Sequence, residues 1–245
     1  MYTLNNRNIY IFQLIMNIMK SLRLLEILKD YPLFTTNDVS KIVGKNQNYI
    51  KTLIYRLRKN NLIYKIEKGK YSVYNDPLVF VSYIYVPSYI SLWSAIRYYG
   101  LTEQLPKIIF VFVTKSRKSL IFNNTKIEFI KTKHFFGFKK ERYNNFDIFI
   151  ADKEKLVIDC LLSKKVSLDD VIRIIKNVDI KKLILYTLRT KNNSLAKRIG
   201  FILDELKIDT KNLIRLVDNN YIKLDYDMQN RGKRNTKWRI LDNRT

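Results

Sequence analysis

The sequence predicts an α+β protein with two domains, and three observations support this prediction. Up to about residue 60, apolar side chains recur at spacings of three and four residues, which is typical of helices. Beyond that point, short strand-like runs are separated from a helical C-terminal part instead of alternating with helices. The pattern changes at Asp76-Pro77. We therefore expect an extension at 1–18, a helical domain at 19–75, and a larger α+β domain at 76–245 with a small mixed sheet and several helices.

The extension contains an apolar stretch from Ile9 to Met19, interrupted by Gln13 and Asn17. This stretch is far shorter than the roughly 20 residues that span a bilayer. It also lacks the basic start and the cleavage site of a signal peptide. We expect an additional N-terminal helix, or a start codon assigned too early with Met16 or Met19 as the true start, and no membrane partner.

Three short helices are predicted in the N-terminal domain. The first covers residues 21–31 and is stopped by Pro32. The second has an N-cap within residues 35–38 and ends at Gly44, where the chain must turn with positive φ. Asn46 then caps a third helix that runs to about residue 59. A tight glycine turn between the second and third helices is the outline of a helix-turn-helix.

The third helix and the segment after it extend this prediction. The helix has one apolar stripe, formed by Ile50, Leu53, Ile54 and Leu57. Residues 62–66 and 71–74 are strand-like, and Gly69 lies in the short loop between them, which indicates a hairpin. A helix-turn-helix followed by a hairpin at this distance predicts a winged helix.

The side of the third helix opposite the stripe is polar, basic and free of carboxylates. In helix-turn-helix proteins the first turns of this helix meet base edges. The expected base-reading residues are Gln47, Asn48, Tyr49, Lys51 and Thr52. Phosphate contacts are expected from Lys51, Tyr55, Arg56, Lys59, Lys68 and Lys70. Two alternatives stay open: a simply solvated helix face, and a winged helix that binds protein.

The charge balance also favours a nucleic-acid partner. The formal net charge is +24, and residues 1–75 carry 13 Lys and Arg against 4 Asp and Glu. A cationic chain of this kind most commonly binds nucleic acid, here double-stranded DNA. The abundance of Ile, Lys, Asn and Tyr is also what an AT-rich coding sequence produces, so codon bias is the competing explanation for part of this charge.

The C-terminal domain is predicted to begin with a helix that Ser88 caps and Gly100 ends. Asp152 and Ser167 each begin a later helix. Strands are expected at Ile108 to Thr114, Ser119 to Phe122, Lys126 to Lys131 and Phe146 to Ala151. Further helices are expected near 179–189, 192–206 and 210–219, and two short strands at 221–225 and 237–241. Trp93 and Trp238 are expected in the core.

The sequence predicts no enzyme, cofactor or metal site. Its one cysteine, Cys160, excludes an internal disulfide and fits a reducing cytoplasm, and its one histidine, His134, leaves no cluster with metal-ligand spacing. A Cys160 nucleophile would need a histidine base with an orienting partner, which the sequence does not indicate. The paired carboxylates of a nucleotidyltransferase and a Walker-type glycine loop do not occur either.

Several segments after the hairpin carry a family resemblance. Residues 85–106 read YVPSYISLWSAIRYYGLTEQLP, 136–138 FGF, 150–159 IADKEKLVID and 198–206 RIGFILDEL, with Trp238 near the end. These segments resemble the motifs of AbiEi antitoxins, a family often described as transcriptional regulators of viral defence. The block at 100–104 is the most specific, and the resemblance covers about residues 20–241. Lys153 departs from a frequent proline, and Tyr99 from a frequent histidine.

The resemblance implies a type IV antitoxin from an abortive-infection operon. It implies that the winged helix binds inverted repeats in its own promoter and represses the operon. It also implies that the C-terminal domain counteracts a nucleotidyltransferase toxin encoded next to it, without a need for direct binding. The alternative is a transcriptional regulator with no toxin partner.

Overall fold

The computed structural model describes residues 6–103 and 107–244, and it is an α+β fold with a mixed sheet and several helices. The chain divides into two compact units, one formed by Met1–Val86, Leu120–Asn124 and Arg142–Ile148, and a larger one formed by the rest. None of the described helices is long and apolar enough to cross a membrane. The side chains of residues 6–15 and 17 are not described.

The smaller unit consists mainly of the first 86 residues. Its elements are α1 (Asn6–Leu28), β1 (Phe34–Thr35), α2 (Thr36–Val43), α3 (Gln47–Lys59), β2 (Tyr64–Glu67), β3 (Lys70–Ser72) and α4 (Pro77–Ile84). The three strands form a sheet in the order β1-β3-β2, and both pairings are antiparallel. Phe34 pairs with Tyr71, and Tyr64 with Ser72. The predicted hairpin is therefore confirmed, and β1, which the sequence analysis missed, extends it.

One hydrophobic cluster joins the helices of this unit to its sheet. Phe34 of β1 and Tyr71 of β3 stack with their ring centroids 6.2 Å apart, and both side chains belong to this cluster. The buried members of the cluster are Leu24, Leu28, Phe34, Val39, Ile50, Ile54, Leu57, Ile63 and Tyr71. Burial of these side chains is the main stabilising contribution to the unit.

The larger unit begins with a sheet. Its elements are β4 (Ser88–Ser91), α5 (Trp93–Tyr98), β5 (Ile108–Val113), β6 (Leu120–Phe122), β7 (Thr125–Lys131), β8 (Phe138–Tyr143) and β9 (Phe146–Ala151), of which β6 and parts of β8 and β9 are assigned to the smaller unit. Within the larger unit the strand order is β7-β5-β4-β9-β8. β5 runs parallel to β7 and antiparallel to β4, so the sheet is mixed.

Helices and a second small sheet complete the larger unit. These elements are α6 (Lys153–Ser163), α7 (Leu168–Ile175), α8 (Ile180–Thr190), α9 (Asn193–Glu205), α10 (Lys211–Ile214), β10 (Ile222–Lys223), β11 (Lys233–Asn235) and β12 (Ile240–Asp242). The small sheet has the order β10-β12-β11. Trp238 is fully buried against α9, where a Cβ at Gly200 would lie 2.1 Å from its ring. The predicted core position of Trp238 is confirmed, whereas Trp93 is half-buried.

The start of this unit differs from the prediction. Ser88 does not cap a helix but begins β4, and α5 starts only at Trp93, after Leu92 with a φ of +54°. Ser88 to Leu92 are all buried, which suits an inner strand between β5 and β9. The sequence analysis also missed α4, β8 and β11. The predicted turn at 101–106 includes residues 104–106, which lie outside the described part of the chain.

Candidate nucleic-acid interface

The turn between α2 and α3 is defined by caps on both sides. Thr35 Oγ1 accepts a hydrogen bond from the Asp38 amide at 3.3 Å, and the Asp38 carboxylate accepts one from the Thr35 amide at 2.8 Å. α2 ends at Gly44, which has a φ of +67°. Asn46 caps α3, and its Oδ1 accepts from the Tyr49 amide at 3.0 Å. The predicted caps are confirmed, and together they fix the first turn of α3.

The inner side of α3 is anchored in the core of the smaller unit. Ile50, Ile54 and Leu57 are buried, with at most 3% of each residue exposed, and Leu53 is half-buried against the same cluster. The predicted apolar stripe is therefore confirmed. Because these residues recur at helical spacing, they determine which side of α3 turns outward.

The outer side of α3 is exposed and carries no negative charge. Between Asn46 and Asn61 the sequence has no Asp or Glu. All of the predicted contact residues on this helix are exposed: Gln47, Asn48, Tyr49, Lys51, Thr52, Tyr55, Arg56 and Lys59. Tyr49 and Tyr55 expose 47% and 63% of their surface, which is unusual for aromatic residues that serve only the core. The helix thus presents amide, hydroxyl, phenol and cationic groups together.

Two polar side chains on this face have partners inside the unit. The Gln47 amide nitrogen donates to Asn37 Oδ1 in α2 at 2.9 Å. The Thr52 hydroxyl donates to the backbone carbonyl of Asn48 at 3.2 Å. Both residues remain exposed, so a ligand could exchange these bonds for its own. Asn48 and Lys51 lie on the same exposed first turns of the helix.

Of the two cations predicted on the hairpin, Lys68 is available to a ligand and Lys70 is not. Lys68 is exposed, next to Gly69 with a φ of +79°. Lys70 is only half-exposed, and its ammonium lies 3.0 Å from Glu67 and donates to the Ile84 carbonyl at 2.6 Å. We therefore revise the expectation for Lys70: its charge is bound within the unit, and the loop presents Lys68 instead.

Two further exposed cations of the smaller unit were not predicted. Arg58 is on α3, on the flank of the outer side, and Lys65 is on β2. Helical angles alone placed Arg58 too close to the buried stripe to be selected. Along β2, Lys65 precedes the buried Ile66, and side chains alternate between the two faces of a strand. This alternation was the sequence signal that could have predicted the exposure of Lys65.

The acidic residues around α3 are engaged in local interactions. Asp38 serves the capping box of α2, and Glu67 forms its ion pair with Lys70. These contacts link Asp38 to the start of α2 and Glu67 to the start of β3. The outer side of α3 carries Lys51, Arg56 and Lys59 without a carboxylate in the helix, and such a positive charge suits a polyanion.

The larger unit contains a buried polar cluster of a different kind. Lys155 and Asp159, one turn apart on α6, form an ion pair with 0% and 1% of their side chains exposed. The Lys155 ammonium also donates to the Tyr89 hydroxyl at 2.8 Å, and Ser91 donates to Asp159 at 2.9 Å. Burial raises the pKa of Asp159, and the charge of Lys155 opposes that shift. The charges of Lys155 and Asp159 are therefore both hydrogen-bonded by groups of the larger unit and are shielded from solvent.

A second set of charges lies at the start of α6. Asp152 caps the helix as predicted, and the Lys182 ammonium lies 3.0 Å from Asp152 and 2.9 Å from Glu154. Burial lowers the pKa of Lys182, but its hydrogen bonds to the two carboxylates outweigh this and raise the pKa overall. In the described part of the chain, no group of three or more His, Cys, Asp or Glu side chains is arranged to hold a metal ion.

Cys160 and His134 are the two other residues that the sequence analysis considered for enzyme chemistry. Cys160 is fully buried in α6, where burial raises the pKa of its thiol well above the usual value. His134 is half-buried in the loop after β7, and burial lowers the pKa of its imidazole. A buried thiol of raised pKa is a poor nucleophile at neutral pH.

Comparison with known proteins adds no family to these observations. The chain matches no protein-family model and has no significant match among curated proteins.

Proposed function

We propose that residues 19–75 form a winged helix that binds double-stranded DNA, with α3 as the recognition helix and the β2-β3 loop as the wing. The observation that carries this proposal is the exposed, acid-free outer side of α3, with Asn48, Lys51 and Thr52 on its first turns. In this geometry an Asn amide pairs with adenine and a Lys ammonium with guanine. Arg56, Lys59 and Lys68 would bind phosphates and set the register.

The order of elements supports this assignment. A helix, a short strand, two capped helices and a hairpin follow one another, and β1 pairs with the second strand of the hairpin. The α2-α3 turn has a left-handed glycine, as a helix-turn-helix needs. A protein-binding winged helix would more typically present apolar residues on its outer side, whereas this side is polar and cationic.

We further propose that the protein is an autorepressor and antitoxin of a type IV toxin-antitoxin operon. The support is the similarity of residues 85–103 and 150–159 to the segments of AbiEi antitoxins. The winged helix would bind inverted repeats upstream of the operon. The larger unit would counteract a nucleotidyltransferase toxin in the cytoplasm, and direct contact between the two proteins is not required. The second candidate, a regulator without a toxin, rests on the smaller unit alone.

A gel-shift experiment with the DNA upstream of the gene tests the DNA-binding proposal. The variant Asn48→Ala/Lys51→Ala should lose the specific shift and keep the fold of the wild type. A matched control, Asn177→Ala/Lys181→Ala, removes the same exposed residue types from the larger unit and should shift DNA normally. An unchanged shift by the α3 variant would exclude this helix from the binding site.

A growth assay separates the two regulatory candidates. When the neighbouring nucleotidyltransferase gene is expressed, co-expression of the chain should restore growth, and Asn48→Ala/Lys51→Ala should restore it equally well from a plasmid promoter. Absence of such a gene, or no rescue by the wild type, would favour the regulator without a toxin.

A further inference from the structure

A basic segment of the larger unit, residues 228–241, contains no Asp or Glu and holds five Lys and Arg residues. Four of these five cations are exposed, and the fifth, Arg239, is half-buried. The segment includes β11 and the first residues of β12, in the small sheet of order β10-β12-β11. The proposed function does not use these cations, because its DNA-binding surface belongs to the smaller unit.

Two arginines of this segment converge on one aromatic ring. The guanidinium carbons of Arg234 and Arg239 lie 5.3 Å and 5.5 Å from the centre of the Tyr221 ring. Arg239 also donates a hydrogen bond to the Tyr221 hydroxyl at 3.4 Å. The negative face of an aromatic ring attracts a guanidinium and orients its plane. Tyr221 therefore holds both guanidiniums at one place on the small sheet.

The register of the small sheet adds a third cation on the same face. Arg234 of β11 lies opposite Leu241 of β12, and Leu241 lies opposite Lys223 of β10. Residues directly opposite one another share a face of the sheet, and the next residue along each strand points to the other face. In β12 that next residue is Ile240, which is fully buried. Arg234 and Lys223 therefore lie on the face that is turned away from the core.

The two arginines keep their charges for a ligand. Within residues 107–244, which the structure describes, neither Arg234 nor Arg239 forms an ion pair. The carboxylates of Asp204 and Asp242 bind other cations, Lys237 at 2.6 Å and Arg244 at 2.8 Å. An arginine side chain stays protonated at any physiological pH, so the positive charge at Tyr221 is permanent.

We propose that Tyr221, Arg234 and Arg239 form the centre of a binding surface for single-stranded RNA. The fork of a guanidinium matches the oxygens of a phosphate, and its flat plane stacks on an unpaired base. The bases of a duplex are already stacked on one another, so a duplex would use only the charge of this surface. The arginine planes thus favour an unpaired strand. This inference goes beyond the proposed function and does not depend on it.

Fluorescence anisotropy of the full chain with a labelled single-stranded RNA of about 12 nucleotides tests the proposal. Arg234→Ala/Arg239→Ala should bind this RNA about tenfold more weakly than the wild type. The slope of log affinity against log salt concentration should fall by about 1.4, because two phosphate contacts to a single strand are lost. Equal affinity of this variant and the wild type would overturn the proposal, as would a wild type that does not bind the RNA.

The matched control is Arg173→Ala/Arg215→Ala. It removes the same number of exposed arginines from other parts of the larger unit, so the change in net charge is identical. This variant should bind the RNA as tightly as the wild type does. An equal loss of affinity in the two double variants would show that only the total charge matters and would contradict a site at Tyr221.

A conservative variant separates stacking from charge. Arg234→Lys/Arg239→Lys keeps both positive charges but lacks the two guanidinium planes. It should bind the RNA several-fold more weakly than the wild type, while its affinity for duplex DNA of scrambled sequence should be unchanged. Unchanged affinity for the RNA would contradict base stacking on Arg234 and Arg239. Melting temperatures of both double variants, compared with the wild type, confirm that the small sheet is intact.

The smaller unit provides an independent check, because α3 is the proposed DNA-binding helix. Asn48→Ala/Lys51→Ala should bind the RNA as the wild type does, even where it loses the specific shift of the upstream DNA. If this variant loses the RNA and Arg234→Ala/Arg239→Ala keeps it, the RNA binds α3 and the present inference fails. The DNA-binding proposal is decided by its own gel shift.

Discussion

The ammonium of Lys155 and the carboxylate of Asp159 form an ion pair that is shielded from solvent inside the larger unit, with Tyr89 and Ser91 completing its hydrogen bonds. Removing one partner of a buried pair leaves the other charge uncompensated. Lys155→Met should therefore lower the free energy of unfolding by about 3–5 kcal/mol, as measured by urea denaturation.

A surface pair provides the control for this prediction. Lys29 lies 2.7 Å from Glu26 with both side chains exposed, so Lys29→Met should change the free energy of unfolding far less than Lys155→Met does. The double variant Lys155→Met/Asp159→Leu should recover much of the lost stability. Equal effects of the two Lys→Met substitutions would show that Lys155 is not buried as described.

Gly44 permits a second test, of the turn that begins α3. A Cβ at this position would meet no atom within 4 Å, so Gly44→Ala adds no clash. The only cost is the left-handed φ of +67°, about 1–2 kcal/mol for an L-residue. Thermal unfolding should show this loss. A neutral effect would mean that the α2-α3 turn does not hold the left-handed conformation.

The pKa of His134 predicts a dependence of stability on pH. Burial and the charge of Lys133 lower this pKa, so the folded chain favours the neutral imidazole. The resulting stability is present above the unfolded pKa of about 6.5 and is lost as pH falls through the folded pKa. The melting temperature should therefore drop on acidification from about pH 7.5 to about pH 5, and less so in His134→Asn. If the melting temperature fell equally with pH in the wild type and in His134→Asn, His134 would not be the group that causes the loss.

Lys68 in the β2-β3 loop and Lys70 at the start of β3 should differ in their effect on DNA binding. Each phosphate contact contributes about one unit to the dependence of log affinity on log salt concentration. Lys68→Ala should lower that slope by about one. Lys70→Ala should leave the slope unchanged and weaken the fold, because Lys70 binds Glu67 and Ile84. If Lys70→Ala lowered the slope and Lys68→Ala did not, Lys70 would have to leave Glu67 and Ile84 when the protein binds DNA.

Local sequence patterns predicted much of the smaller unit. The capping residues of α2 and α3 were identified because side chains such as Thr35 and Asn46 satisfy amides only a few residues away. The apolar stripe of α3 followed from helical periodicity in the same way. The exposure of Asn48, Lys51 and Thr52 is the outcome that the DNA-binding hypothesis required.

Features that depend on distant residues were not predictable in this way. Ser88 has the residue type of a helix cap, but β4 is buried between β5 and β9, and that environment selects a strand. β1 has only two residues and exists because β3 pairs with it. Lys70 was assigned to DNA as a cation on the hairpin, and local spacing gave no sign of its bond to the Ile84 carbonyl, 14 residues away in sequence. Tertiary contacts thus decided each of these cases.

The most direct test of the central claim is the ratio of affinities for the upstream repeats and for scrambled DNA of equal length at one salt concentration. If α3 reads bases, this ratio should be on the order of 10³ or more for the wild type. Asn48→Ala/Lys51→Ala should reduce it at least tenfold, because each bidentate base contact contributes about 1–3 kcal/mol of discrimination. A ratio that stays the same in the variant would contradict base reading by α3.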